Sequence, residues 1–189
     1  SAERLKLLPQ TELVRDKGYD ILFLLDEVDE FLMNILQRYS EKEFRSISSG
    51  DLGLETDKEK NEKEEKEKSF KEMLEFIEKS LEGKVSKVTL SSRLKSHPVC
   101  LSSEGMLSIE MEKTLASMPG AKNDLKAERV LEINGSHNIF EKLAGLWEAG
   151  DKDRLAMYSQ LLYNQALLIE GLSIEDPIKF SNDICELMV

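Results

Sequence analysis

The chain has 189 residues, of which 40% are hydrophobic and 33% charged, a composition typical of a globular protein with room for one good-sized domain or two small ones. Its net charge of −11 argues against a nucleic-acid partner, because contacts to phosphates need clustered Lys and Arg. The sequence contains neither an apolar run of the roughly 20 residues that cross a membrane nor a secretory signal, so we expect a soluble, cytoplasmic protein with no membrane partner.

The first predicted elements form a small α/β/α unit over residues 1–56. Residues 19–25 are a nearly continuous apolar run, which predicts a buried strand. Asp26 is expected to cap the helix that follows, because acidic residues are concentrated in its first turn. Residues 43–48 alternate in polarity and predict a second strand. This order of elements suggests a unit that starts in the middle of a larger domain.

A highly charged stretch separates this unit from the rest of the chain. Residues 55–68 are almost entirely Glu, Lys, Asp and Asn, with Glu-to-Lys spacings of four that support an exposed helix. An apolar helix face follows and ends at Gly83; it comprises Phe70, Met73, Leu74, Ile77 and Leu81. We interpret the charged residues as a solvated helix face and predict a domain boundary between residues 56 and 57.

Residues 57–189 are predicted to form a second domain of strands and helices. Residues 85–91, 98–102 and 129–134 predict three short strands, with the second strand as the partner of the first. Helices are predicted over residues 106–118, 137–148, 153–170 and 177–189. The predicted fold class is therefore α+β, with a short three-stranded sheet and a pair of C-terminal helices.

The last two predicted helices carry an apolar seam of the kind that joins helices in bundles. Asp151 and Gly171 mark the ends of the first helix, and Asp176 caps the second, which has Pro177 at its first position. Because so apolar a terminal helix needs a cover, we predict that two copies of the chain form an intermolecular four-helix bundle. The predicted interface residues are Leu155, Tyr158, Leu161, Leu162, Gln165, Leu168, Ile169, Leu172, Ile178, Ile184, Leu187 and Met188. The alternative is that both helices pack on their own domain.

A stripe of flexible apolar side chains occupies one side of the helix predicted over residues 106–118. It comprises Met106, Leu107, Met111, Leu115 and Met118. Methionine is unbranched and polarisable, so an exposed stripe of this kind can adapt to varied apolar partners. The same spacing is typical of an ordinary core, and the pattern alone leaves both interpretations open.

Groups that could carry catalysis or hold a metal are few. Cys100 and Cys185 are far apart in apolar stretches and predict buried, reduced thiols, and with only two histidines no zinc site can be formed by sequence neighbours. The acidic residues within 26–30 could suggest a magnesium site, but they suit a helix N-terminus and no phosphate-binding Gly-rich loop accompanies them. We therefore expect no catalytic residue and no metal. The alternative function is that of a small α/β enzyme or signalling domain with a helical dimerisation tail.

Four blocks of residues, in order along nearly the whole chain, carry a family resemblance. They are residues 18–24 with 29–31, residues 44–48 with 51–52, residues 88–94 with Pro98, and residues 165–168 with 175–177 and Phe180. These blocks resemble the bacterial form of the ninety-kilodalton heat-shock chaperones, the heat shock protein 90 family. The first two blocks look like the end of that family's middle domain, the third like the first hairpin of its C-terminal domain, and the last like its dimerisation helices.

The resemblance implies a molecular chaperone that pairs as a homodimer and contacts partly unfolded client proteins. It implies that the chain is a C-terminal fragment, with ATP and magnesium bound in an N-terminal domain that the chain lacks. The stripe from Met106 to Met118 would then bind clients, and Phe31 and Asn34 match positions that face the same cleft. Because the chain ends in Met188-Val189 and not in the acidic tail of eukaryotic members, no docking of tetratricopeptide co-chaperones is expected.

Overall fold

The structure, a computed structural model, describes residues 2–26, 28–48, 52–117 and 126–188 of the chain. Within these ranges the N-terminal part contains α1 (Ala2–Leu5), α2 (Thr11–Asp16), α3 (Asp29–Leu36) and a hairpin of β1 (Arg38–Tyr39) and β2 (Lys42–Glu43). The remaining elements are α4 (Asp57–Ser69), α5 (Lys71–Ser80), β3 (Lys87–Leu90), β4 (Val99–Glu104), α6 (Ile109–Ser117), β5 (Glu128–Ile133), α7 (Asn138–Glu148), α8 (Lys152–Glu170) and α9 (Pro177–Leu187). This mixture of helices and small sheets agrees with the predicted α+β class.

The central sheet has the strand order β3–β5–β4. Strand β5 runs parallel to β3 and antiparallel to β4, so Leu131 lies opposite both Val88 and Leu101. The last four residues of β5 are buried, as a strand with a neighbour on each side requires. The expected direct pairing of the first two strands is therefore wrong, because the third strand lies between them.

The main core lies between this sheet and the helices α5, α7 and α8. Its fully buried side chains include Ile77 on α5, Leu143 on α7 and Leu155 on α8, together with Leu131 at the centre of the sheet. Phe70 packs edge-on against Phe140 with ring centroids 5.0 Å apart. The apolar face predicted for residues 70–81 is confirmed, since Met73, Leu74, Ile77 and Leu81 are all buried.

The ends of the two C-terminal helices are fixed by the residues that the sequence indicates. The Asp151 side chain accepts a hydrogen bond from the backbone N–H of Arg154 at 3.2 Å, and Gly171 ends α8 in the left-handed region at φ +77°. Asp176 accepts a bond from the N–H of Lys179 at 2.9 Å, with Pro177 in the first turn of α9. The two predicted C-terminal helices are therefore confirmed, whereas the four-helix bundle that they would form with a second copy stays a prediction.

The two strands predicted for the N-terminal α/β/α unit are absent from the structure of the described residues. Residues 19–25 form no strand, and Tyr19, Leu22 and Leu25 are each more than half exposed. In place of a strand over residues 43–48, the structure has the short β1–β2 hairpin. A strand persists only when a neighbour takes its backbone hydrogen bonds, and residues 19–25 and 44–48 belong to neither sheet of the described ranges. The division into two domains stays a prediction.

The charged helix and the stripe-bearing helix also have defined bounds. Helix α4 has no buried residue, which confirms the predicted solvated helix, and the side chains of Thr56 and Glu59 cap it reciprocally. Helix α6 begins at Ile109, so Met106 and Leu107 precede it, contrary to the predicted start at residue 106. Met118 lies outside the described residues. No helix in the described ranges combines the length and the apolar character that spanning a membrane requires.

Candidate functional site

A groove of about 300 Å³ lies between α3 and the turn that leads from β4 into α6. Its walls come from three parts of the chain: α3, the segment after the β1–β2 hairpin, and the stretch from the end of β4 into α6. The lining residues are Glu30, Asn34, Phe44, Arg45, Ser46, Leu52, Ser103, Gly105, Met106, Ser108 and Met111. Both apolar and charged side chains line the groove.

The groove brings together three of the predicted client-binding residues. The Asn34 amide nitrogen lies 3.6 Å from the Met111 sulfur, and Met106 projects into solvent with 98% of its surface exposed. The Ser108 hydroxyl donates a hydrogen bond to Glu30 and accepts one from the N–H of Met111 at 3.0 Å. Partial burial raises the pKa of Glu30. These bonds fix α3 beside α6, and this contact forms the floor of the groove.

Three other predicted client-binding residues, Phe31, Leu107 and Leu115, are not among the residues that line the groove. Phe31 and Leu115 are half-buried on their helices, and Leu107 packs against the main core. Met118, as the last member of the stripe, falls outside the described residues. Members of the stripe therefore lie both at the groove and against the core. The spacing pattern in the sequence could not predict which member lies where.

Part of the predicted dimer seam is covered by the chain itself. Leu155, Leu161 and Leu162 are 0%, 5% and 4% exposed, so these three side chains are covered without a second copy of the chain. Leu155 and Leu162 belong to the main core that α8 forms with the sheet, α5 and α7. Tyr158 and Leu172 pack against the same core and are half-buried.

The rest of the predicted seam remains accessible. Gln165 is exposed, and Ile169 and Ile184 are half-buried. The exposed apolar side chains of the seam are Leu168 (50%), Ile178 (76%), Leu187 (43%) and Met188 (78%). The described part of the chain therefore leaves apolar surface at the end of α8 and along α9.

The outer side of α9 has its own spacing pattern. Ile178, Ser181, Cys185 and Met188 are all exposed and follow one another at gaps of three, four and three residues. Such gaps place side chains on one side of a helix, so we call these four residues the α9 stripe. Cys185 was predicted to be buried and is exposed, whereas Cys100 is fully buried, and this burial raises the pKa of its thiol.

A polar contact between α2 and the turn before β4 has no signal in the sequence. The Glu12 carboxylate accepts hydrogen bonds from the backbone N–H groups of Lys95 and Ser96, at 2.6 and 3.1 Å, and lies 2.9 Å from the His97 ring nitrogen. Partial burial opposes ionisation, but the hydrogen bonds from Ser96, Lys95 and His97 outweigh it and lower the pKa of Glu12 from 4.5 to about 2. One ionised side chain thus holds α2 against the C-terminal part of the chain.

The expected capping of α3 by Asp26 is wrong, because the helix has Val28 at its N-cap with no side-chain cap hydrogen bond, and Asp29 is its first residue. The Asp29 carboxylate accepts hydrogen bonds from the backbone N–H groups of Leu25 and Asp26, at 3.1 and 3.0 Å. In the described ranges, no three His, Cys, Asp or Glu side chains come together as a potential metal site. The predicted lack of catalytic residues and metal stays a prediction.

Comparison with known proteins identifies the family of this chain. A family model described as Hsp90 protein matches residues 1–189, the whole chain. The chain belongs to the Hsp90 family. It is similar to the chaperone protein HtpG of Halalkalibacterium halodurans (54% identity over 188 residues), of Bacillus subtilis (52% over 189) and of Clostridium botulinum (53% over 188). In each case 100% of this chain is covered, but the chain spans only 30% of the relative's length. The resemblance seen in the sequence is confirmed.

Two of the blocks that carry the Hsp90 resemblance contact each other in the fold. Arg93, in the third block, donates a hydrogen bond to the backbone carbonyl of Ile47, in the second, at 2.6 Å. The same guanidinium forms an ion pair with Glu132 of β5 at 3.1 Å, and both side chains are almost completely buried. Arg93 therefore links the segment around residue 47 to the central sheet. The link is costly to break, because removing one partner of a buried ion pair leaves the other charge buried and uncompensated.

Proposed function

We propose that this Hsp90-family chain is a dimerisation and client-contact module of an ATP-dependent chaperone. Membership of the family supports the chaperone assignment. The observation that carries the dimer role is the exposed α9 stripe, which presents Ile178 and Met188 on a helix that the chain covers on one side only. In this proposal ATP and magnesium bind elsewhere in a longer protein, the module has no catalytic residue of its own, and the protein acts in the cytoplasm.

The energy of association decides which residues the dimer needs. A two-fold interface buries each exposed side chain once from each protomer, and full burial of a Leu-sized side chain contributes about 1.5–3 kcal/mol. Since Ile178, Met188 and Leu168 are already partly covered, with 76%, 78% and 50% exposed, their contributions from two protomers scale with these fractions. They together supply about 6–12 kcal/mol, against an association cost of roughly 4–15 kcal/mol. The balance favours a stable dimer when Leu187 and Ile184 also lie in the interface. We therefore place the two-fold axis beside α9 and the end of α8, away from the buried side of α8.

Charge on the α9 stripe should separate the protomers. We expect Ile178→Glu combined with Met188→Glu to give a folded monomer, because both side chains are exposed and their loss leaves the core intact. Size-exclusion chromatography with light scattering at about 10 µM would measure the mass, and circular dichroism would check the fold. Leu7→Glu, at an apolar position that is 77% exposed and far from α9 in sequence, is the matched control and should remain a dimer. A wild-type monomer, or a dimer that survives both substitutions, would contradict the proposal.

The client-contact role is supported by the groove between α3 and α6. Met106 is almost fully exposed beside it and Met111 lines it, so two flexible side chains are available to apolar segments of varied shape. Glu30 and Arg45 on the same walls offer hydrogen bonds to an extended backbone. The net charge of −11 favours the solubility of a protein with such exposed apolar surface.

Removal of the two methionine side chains should weaken client binding. We expect Met106→Ser combined with Met111→Ser to raise the Kd for a reduced, carboxymethylated and fluorescently labelled unfolded protein by about tenfold, because the groove loses most of its adaptable apolar surface. Fluorescence anisotropy would measure binding, and light scattering would show that the dimer persists. Leu7→Ser is the matched control, since it removes an equally exposed apolar side chain outside the groove. Equal affinities for the methionine variant and this control would rule out the groove as the contact surface.

A further inference from the structure

Helix α6 has little apolar anchorage of its own. Ile109, at its first position, is its single buried residue within the described part of the chain; Glu110, Ala116 and Ser117 are exposed and the others are half-buried. An isolated helix of nine residues is unstable in water, because nucleation costs more than so few hydrogen bonds return. Other contacts must therefore keep α6 folded against the body.

One such contact joins the middle of α6 to the beginning of β5. The Arg129 guanidinium forms an ion pair with Glu112 at 2.7 Å, and the second carboxylate oxygen of Glu112 accepts a hydrogen bond from the N–H of Ala127 at 2.8 Å. Arg129 also donates to the hydroxyl of Tyr163 on α8, at 3.2 Å. The two charged side chains are only 17% and 14% exposed, so solvent weakens this ion pair far less than a surface pair.

A second contact joins α6 to the end of α8. The Lys113 ammonium donates a hydrogen bond to the backbone carbonyl of Glu170 at 2.8 Å and lies 3.8 Å from its carboxylate. Glu170 is buried, and its carboxylate also accepts a hydrogen bond from Gln10, which donates in addition to the carbonyl of Leu101 at 3.0 Å. Glu170 therefore connects α6 with Gln10, the residue before α2, and Gln10 in turn connects it with β4.

We propose that α6 is a releasable helix, held on the body by the ion pairs Glu112–Arg129 and Lys113–Glu170. When both pairs are broken, α6 detaches while the central sheet and helices α5, α7 and α8 stay folded, because the main core contains no α6 side chain beyond Ile109. Because Glu170 is the last residue of α8, release of α6 is also linked to the part of α8 that exposes Leu168. This inference concerns the helix itself and holds whether or not the groove binds clients.

Hydrogen exchange measured by mass spectrometry on the whole 189-residue chain tests the release. In the double variant Glu112→Gln with Lys113→Met, we expect the amides of residues 110–117 to exchange roughly tenfold faster than in the wild type, with α7 and β5 unchanged. Exchange of residues 110–117 within about twofold of the wild type would show that apolar contacts hold α6 and would overturn the proposal. Equal acceleration in every helix would also overturn it, since α6 would then not open separately.

The chain offers a matched control on α4. Lys58→Met with Glu62→Gln makes the same two chemical changes at a surface ion pair of 3.6 Å, and like the test variant it leaves the net charge unchanged. It should not alter exchange in residues 110–117, and an equal effect there would overturn the proposal.

Discussion

One acidic side chain can connect two segments that are far apart in the chain through several hydrogen bonds, and Glu12 is the clearest case. We expect Glu12→Gln to lower the free energy of unfolding by about 1 kcal/mol at pH 7, because the charge-assisted bonds to residues 95–97 become neutral ones. The pKa of Glu12 is about 2 in the folded chain and 4.5 normally, so ionisation stabilises the fold above pH 4.5 and this contribution is lost as the pH falls towards 2.

Urea unfolding at pH 7 and pH 3, at one fixed protein concentration, measures this difference between wild type and Glu12→Gln. The gap should be largest at pH 7 and should shrink at pH 3. Glu62→Gln, which changes an exposed glutamate on α4, provides the control and should cost little at either pH. A gap of the same size at both pH values would show that the carboxylate charge contributes nothing.

At the residue scale the sequence predicts local partners and misses distant ones. Asp151, Gly171, Asp176 and Pro177 act on backbone within a few positions, so their roles as helix ends can be read from the chain. The partners of Glu12 lie 83–85 residues away, and only the folded chain brings them together. The same holds for the cysteines, since a hydrophobic neighbourhood does not reveal that Cys185 lies on the outer side of α9.

At the scale of elements, spacing predicts the helices but not what covers them. The three- and four-residue gaps on α8 suit both a dimer seam and an internal core, and the structure places Leu155 and Leu162 in the core because the sheet, α5 and α7 lie against that side. The order of the strands in the sheet cannot be predicted from local spacing for a similar reason. The pairing of β3 with β5 joins residues 43 positions apart, such as Lys87 and Val130, and no local pattern specifies it.

At the scale of the whole molecule, two regions of the described chain each expose several apolar side chains. One is the segment from Tyr19 to Leu36, where Leu22, Val28 and Ile35 are each more than 60% exposed, and the other is α9 with the end of α8. The groove lies on the first region and the α9 stripe on the second. In the proposed dimer, which forms through the second region, we expect the first region to stay free for client contact on both protomers.

If only folded protomers associate, the proposed dimer makes thermal stability depend on protein concentration. Each tenfold rise in protomer concentration favours the dimer by about 1.4 kcal/mol, so we expect Tm to rise by about 1–4 °C per decade between roughly 1 and 100 µM. Circular dichroism or differential scanning fluorimetry would measure Tm. The Ile178→Glu, Met188→Glu variant should show a Tm that is lower and independent of concentration, while Leu7→Glu should keep the wild-type slope. A constant Tm for the wild type would mean that the protomer reaches its full stability alone, and the α9 stripe would then need another explanation.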